Sequence, residues 1–288
     1  MNFTVFSLLL GIFFSAKFSG CRKGEKSETT LAQLDMTNIF YGNDTANNID
    51  AYLPAGRDTA NTKVILFIHG GSWSSGDKNE FADAIPAIRS KLQNYAIFNM
   101  NYQLAHNDST RFPVQVNNIE SAIGFIQSKA AGYRINADKI CLVGASAGAH
   151  LALLEAYKNN TGGKIKAVVD LFGPTDLTDL YKNHPIPAQA RYVLVNFLGA
   201  TPSTKPDIYF QASPINFVNA QTVPTKIFHG IDDIVVPDSQ SAALKAKLEQ
   251  NNVKVDITFY QGEGHGWYGK NLLDTYQKTI DFIKENVQ

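Results

Sequence analysis

The sequence predicts an α/β fold: a mostly parallel central sheet with helices on both faces and a small helical insertion between residues 175 and 223. Three observations carry this. Short apolar runs alternate along the chain with segments of helical periodicity, the signature of repeated strand and helix units. The 288 residues are 44% hydrophobic, enough to bury a two-sided sheet, and no low-complexity linker divides them. Nearly fifty residues, 175–223, separate two of the apolar runs and hold Pro185, Pro187, Pro202, Pro206 and Pro214. A stretch of that length is seldom a plain loop, so short helices near the mouth of a site are expected there.

The elements follow in order. Residues 3–14 are almost wholly apolar, and 15–20 turn small and polar just before Cys21, which marks 1–21 as a targeting segment. The run is shorter than the roughly 20 apolar residues a spanning helix needs. Residues 22–35 form a polar tether, and 36–288 one folded domain. Within it, strands are expected at 48–53, 63–69, 96–102, 139–144, 164–172, 225–229 and 253–260. Helices are expected between them at 79–92, 114–128, 147–158, 239–250 and 272–285.

Composition narrows the function classes. With 26 basic and 26 acidic residues there is no electrostatic footprint for nucleic acid or for an anionic membrane surface. The two cysteines, Cys21 and Cys141, give no disulfide framework, and Cys141 sits inside an expected strand as a small buried hydrophobe. There is no H-E-x-x-H, no Cys/His cluster at metal spacing and no phosphate-binding lysine loop, so neither a metal nor a nucleotide cofactor is implied.

Gly144-Ala145-Ser146-Ala147-Gly148 joins the run 139–143 to a helical stretch. A serine is thereby offered at a sharp strand-to-helix turn, where only very small neighbours let the helix pass close to the strand. Upstream, the apolar run 64–68 ends in His69-Gly70-Gly71-Ser72-Trp73, a loop type whose backbone N–H groups supply half of an oxyanion hole; the N–H of Ala147 supplies the other half. Trp73 is suited either to walling an acyl pocket or to the core. Downstream lie Asp233 and His265. Of the six histidines, His265 alone follows the last strand in a glycine-rich loop, 262–266, mobile enough to swing an imidazole over Ser146. His150 falls four residues beyond Ser146 on the helix and points away from it, while His106 and His184 lie in polar loops and are expected at the surface. For the acid, Asp232, Asp233 and Glu263 all compete.

These residues resemble the α/β-hydrolase superfamily and, within it, the BD-FAE-like bacterial esterases related to hormone-sensitive lipase. The matching residues are Tyr41-Gly42, Asp50 to Pro54, His69 to Trp73 with Gly76-Asp77-Lys78, Asn101-Tyr102, Gly144 to Gly148, Ser213-Pro214, His229-Gly230 with Asp233 and Val236-Pro237, and Gly264-His265-Gly266. The resemblance implies an α/β-hydrolase fold from about residue 36 to the C-terminus. It implies that Ser146 is the nucleophile, His265 the base and Asp233, selected over Asp232 by the family spacing, the acid. It maps Gly71 and Ser72 onto the oxyanion loop, with Ser72 standing where the pattern has its third glycine, and makes His69 and His229 loop-ordering residues.

The expected activity is hydrolysis of short acyl esters, with acetyl or feruloyl groups on carbohydrates as candidates. An arylformamidase-like amide hydrolase, which shares the H-G-G-x-W loop and the Gly-Asp-Lys, and a non-catalytic binding protein are the alternatives. Partners are small-molecule or glycan esters. Phe18-Ser19-Gly20-Cys21 resembles a bacterial lipobox, which implies an exported, periplasmic or lipid-anchored protein touching the membrane only through Cys21; plain secretion is the alternative. Exposed aromatics of the insertion, with Tyr181, Tyr192 and Phe197 as candidates, would meet the alcohol side of the substrate.

Overall fold

A computed structural model describes residues 30–288; the expected targeting segment, Cys21 and the tether up to residue 29 lie outside the described residues. Eight strands form one sheet: β1 (Leu34–Phe40), β2 (Asn48–Leu53), β3 (Lys63–Ile68), β4 (Tyr95–Met100), β5 (Ile140–Ala145), β6 (Ile165–Leu171), β7 (Thr225–Gly230) and β8 (Val255–Tyr260). Their spatial order is β1-β2-β4-β3-β5-β6-β7-β8, with β1/β2 and β2/β4 antiparallel and the remaining pairs parallel.

The central strands β3 and β5 are near-continuous apolar runs because both of their faces are covered. On β3, Val64, Leu66 and Ile68 join the cluster under α2 (Val114–Tyr133), α3 (Ala147–Leu154) and α7 (Ser239–Gln250), with Ile119, Leu151 and Leu244 facing them. The alternate residues Ile65 and Phe67 join the other cluster, under α1 (Ala84–Lys91) and α8 (Gly269–Asn286), with Ile88 and Ile283. Cys141 is fully buried in this second cluster, and burial pushes its thiol far above the ordinary range. The insertion is helical as expected: α4 (Leu177–Asn183), α5 (Pro187–Leu198), α6 (Pro206–Gln211) and a 3-10 turn, Pro214–Phe217.

Three expectations are revised. β1 is an additional strand whose first residues fall inside the expected tether: Leu34 and Asp35 pair with Leu53 and Tyr52. Its side chains are mostly exposed, as suits a sheet edge, and a bulge between Met36 and Ile39 breaks any alternation. The single helix expected at 79–92 is a 3-10 turn, Lys78–Phe81, followed by α1. The break has a local cause, because Pro86 has no N–H to give Ala82 and its ring would crowd that carbonyl. Helix α2 also runs on to Tyr133 and stops where Arg134 turns left-handed, φ +56°.

Lys78 ties the edge of the sheet to the turn that follows the His69 loop. Its buried Nζ donates to Asp50 Oδ1 at 2.6 Å, Asn38 Oδ1 at 2.7 Å and Asn48 Oδ1 at 2.8 Å. Lys78→Met would leave the Asp50 carboxylate buried without its cation, so a loss of about 3 to 5 kcal/mol is expected in urea denaturation. The double variant Lys78→Met/Asp50→Asn should recover part of that loss.

Candidate active site

Ser146 is held in a conformation few residues adopt, φ +52° and ψ −118°, between the end of β5 and the start of α3. The turn is fixed from both ends. Its N–H donates to Leu171 O at 2.8 Å, and its carbonyl accepts the first helical bond from His150 N at 3.0 Å. Its closeness depends on the flanking glycines: a Cβ on Gly144 would meet Gly148 C at 2.4 Å, and one on Gly148 would meet Ile68 O at 2.1 Å.

Three of the residues singled out from sequence lie in one hydrogen-bonded line. Ser146 Oγ is 2.8 Å from His265 Nε2, and His265 Nδ1 is 2.6 Å from Asp233 Oδ2. Since Nδ1 faces a carboxylate, it carries the proton, which leaves Nε2 to accept from the serine. The Asp233 side chain is completely buried. Its Oδ1 takes the N–H groups of Val235 and Val236 at 2.8 and 2.9 Å, and Oδ2 also lies 3.3 Å from His229 Nε2. Burial alone would raise this carboxyl. The hydrogen bonds from His229, His265 and the Val236 N–H outweigh it and hold Asp233 well below the usual carboxylate range, so it is the ionised member.

The rival acids are placed elsewhere. Asp232 is exposed, and Glu263 Oε1 accepts from Asn271 Nδ2 at 2.6 Å. His150 is fully buried between Trp73 Nε1 and Ala212 O, and burial pushes it down to about 4. His69 stacks on Tyr102 and holds Gly70 O, and His229 orders the Val236 turn. His184 corrects the surface placement expected of it. It is buried beneath the acid loop, its Nδ1 accepting from Ile186 N and its Nε2 donating to Val235 O at 3.0 Å.

Gly71, Ser72 and Trp73 follow one another with positive φ, +102°, +52° and +60°, which wraps the loop around Ser146. Among the described residues nothing accepts from the N–H groups of Gly71, Ser72 or Ala147, so all three are free to stabilise a developing oxyanion. Two spaces meet at Ser146. One is a pocket of about 60 Å³ walled by Trp73, Leu180, Val193, Leu194 and Val236. The other is an open cleft of about 550 Å³ on the His265 side, bordered by Glu80, Phe172, Trp267 and Tyr268. Trp73 is buried, lining the pocket while stacking on Phe197 at 4.2 Å. Phe197 itself is fully buried and is no surface aromatic; Tyr192 is the exposed one.

No motif pointed to Phe172, whose ring packs on His265 at 4.6 Å. Nor did any mark Asp170, buried at the end of β6, where Oδ1 accepts from Gly173 N at 2.7 Å and Oδ2 has no partner among the described residues. Desolvation pushes Asp170 from its ordinary 3.8 up to about 7, against the Gly173 N–H and nearby His229. Across that window the folded chain keeps a proton that the unfolded chain has released, so stability falls as pH rises from about 4 to about 7. Asp170→Asn removes this slope. Its melting temperature relative to wild type should rise between pH 4 and pH 8, by the equivalent of a few kcal/mol.

Comparison with known proteins adds four findings. The family description BD-FAE matches residues 49–248. Esterase LipC of Mycobacterium tuberculosis is 25% identical over 253 residues, 82% of this chain and 60% of that protein. Kynurenine formamidase of Meyerozyma guilliermondii is 29% identical over 188 residues, 62% of this chain and 64% of that one. A solved structure described as a truncated carbohydrate esterase from gut microbiota superposes with TM-score 0.73 at 25% identity, over 88% of this chain and 95% of that one. This chain spans about half to two thirds of the length of the curated relatives it matches.

Proposed function

The chain belongs to the BD-FAE family, and on that premise we propose that it is a serine carboxylesterase for short acyl esters of hydroxylated, carbohydrate-type alcohols. The observation that carries the proposal is the unbroken line Ser146, His265, Asp233 beside three free N–H groups.

In this mechanism Ser146 Oγ attacks the ester carbonyl as His265 Nε2 takes its proton. Asp233 stabilises the imidazolium and fixes its tautomer. The N–H groups of Gly71, Ser72 and Ala147 receive the oxyanion. His265 then returns the proton to the departing alcohol oxygen, and water repeats the sequence on the acyl-enzyme. Because His265 must reach the leaving oxygen, the alcohol belongs in the cleft it borders, and the acyl group in the pocket it does not. That pocket holds only a few heavy atoms, which supports acetyl to butyryl groups. The description of the gut carbohydrate esterase supports a sugar as the alcohol.

A p-nitrophenyl ester series tests the proposal. Activity should fall at least tenfold from butyrate to octanoate, and a fluorophosphonate probe should label Ser146. Preference for N-formylkynurenine over every ester would move the protein to amide hydrolysis; no labelling and no turnover would leave a binding protein.

We also place the protein outside the cytoplasm with Cys21 lipidated. In a bacterial host, Cys21→Ala should move it from the membrane fraction to the soluble fraction. An unchanged distribution refutes the anchor.

A further inference from the structure

Glu80 lies in the 3-10 turn that follows the oxyanion loop, and its two carboxylate oxygens have different surroundings. Oε2 accepts the N–H of Gly70 at 2.6 Å, which ties the carboxylate to the His69 loop. Oε1 receives no hydrogen bond from any described residue, and the side chain is open to the cleft that Ser146 and His265 share. The nucleophile is close at hand: a carbon placed at Cβ on Gly70 would sit 3.3 Å from Ser146 Cβ and 3.4 Å from Glu80 Oε1. An unused acceptor is therefore fixed about one side chain from the reacting serine, on the side where the alcohol leaves. Asp83 adds a second carboxylate to the same cleft, and no Lys or Arg is among the described residues that line it.

We propose that Glu80 is a specificity-determining residue: its Oε1 accepts a hydrogen bond from a hydroxyl next to the ester oxygen, so the enzyme selects esters of vicinal diols and sugars. The inference rests on the esterase mechanism above and deepens it. A bound hydroxyl gives Oε1 its missing donor, and hydrogen bonds to ionised groups are about twice as strong as neutral ones. An alcohol that brings a carboxylate meets Glu80 and Asp83 with no cation to offset them, so the same cleft disfavours anionic alcohols. If Glu80 serves only to tether Gly70, its replacement affects all substrates alike.

Three acetates of matched length separate these cases: 2-hydroxyethyl acetate, propyl acetate, in which a methyl replaces the hydroxyl, and carboxymethyl acetate. They are assayed with wild type, Glu80→Gln and Glu80→Asp at mildly alkaline pH, above the raised titration of Glu80. Glu80→Gln can keep the bond to Gly70 through its amide oxygen while presenting an uncharged NH₂ to the cleft. In wild type, kcat/KM should be roughly tenfold or more higher for hydroxyethyl than for propyl acetate, and lowest for carboxymethyl acetate.

In Glu80→Gln the hydroxyethyl-to-propyl ratio should fall at least fivefold and carboxymethyl acetate should gain, with propyl acetate changed less than threefold. Glu80→Asp, which keeps the charge but withdraws it, should lie between; if the glutamine variant does not fold, this variant decides. A wild-type ratio near one, or a ratio within twofold of wild type in the variants, overturns the inference. If Ser146→Ala leaves hydrolysis of all three unchanged, it is the esterase mechanism that fails.

Discussion

Ser146→Ala is expected to lower kcat by roughly 10⁶ and to leave the melting temperature within a degree or two of wild type. The size follows from the geometry. His265 Nε2 has one proton source in the site, the serine Oγ at 2.8 Å, and Asp233 is committed to His265. Without Oγ the histidine has no nucleophile to activate, so the three residues fall together. What survives is water attack aided by the N–H groups of Gly71, Ser72 and Ala147, a residual of roughly 10³ to 10⁴ over the uncatalysed reaction. Stability is spared because Ser146 Oγ bonds only His265, whose side chain keeps 20% of its surface exposed, so removing it strands no fully buried group. Active-site-titrated kinetics on p-nitrophenyl acetate check the first part, and differential scanning calorimetry the second. A loss below a hundredfold would contradict the mechanism.

Gly148→Ala is expected to destabilise the fold severely. The added Cβ would lie 2.1 Å from Ile68 O and 2.4 Å from His69 O, both backbone atoms at the end of β3. That strand cannot give way, because it is hydrogen-bonded to β4 on one side and β5 on the other. Separating α3 from β3 would also displace Ser146 and the His69 loop. A cost above about 4 kcal/mol is expected, a large share of the stability of a typical domain, so the variant should collect in the insoluble fraction. Gly124→Ala is the control: the site is exposed on α2 with nothing within 4 Å, and the change should stabilise by about 0.5 to 1 kcal/mol. If Gly148→Ala expresses and melts like Gly124→Ala, the close packing at the turn is wrong.

How much of this was legible in the sequence depends on how locally each feature is determined. β3 and β5 are covered on both faces, so they stand out as apolar runs whatever surrounds them. Ser146 announces itself through Gly144 and Gly148, since the sharp turn demands small neighbours, and His265 through its glycine loop. β1 could not be read, because an exposed edge strand with a bulge has no periodicity to find. The uses of Glu80, Phe172 and His184 are equally silent, for each depends on a partner far along the chain or on which wall of a cavity it reaches. His184 is the instructive case. Its polar, proline-flanked neighbours suggest the surface, yet its ring satisfies both nitrogens beneath a loop more than fifty residues away in the chain.

That histidine also limits how the site can be remodelled. The segment 175–223 walls the pocket beside Ser146 with Leu180, Val193 and Leu194, which makes it the natural place to graft a new acyl preference. But His184, between α4 and α5, grips the carbonyl of Val235, whose own N–H is one of the donors on Asp233. The insertion is therefore not a detachable module. Grafts that omit a donor at position 184 should change turnover along with selectivity, whereas grafts that keep it should let the two vary independently.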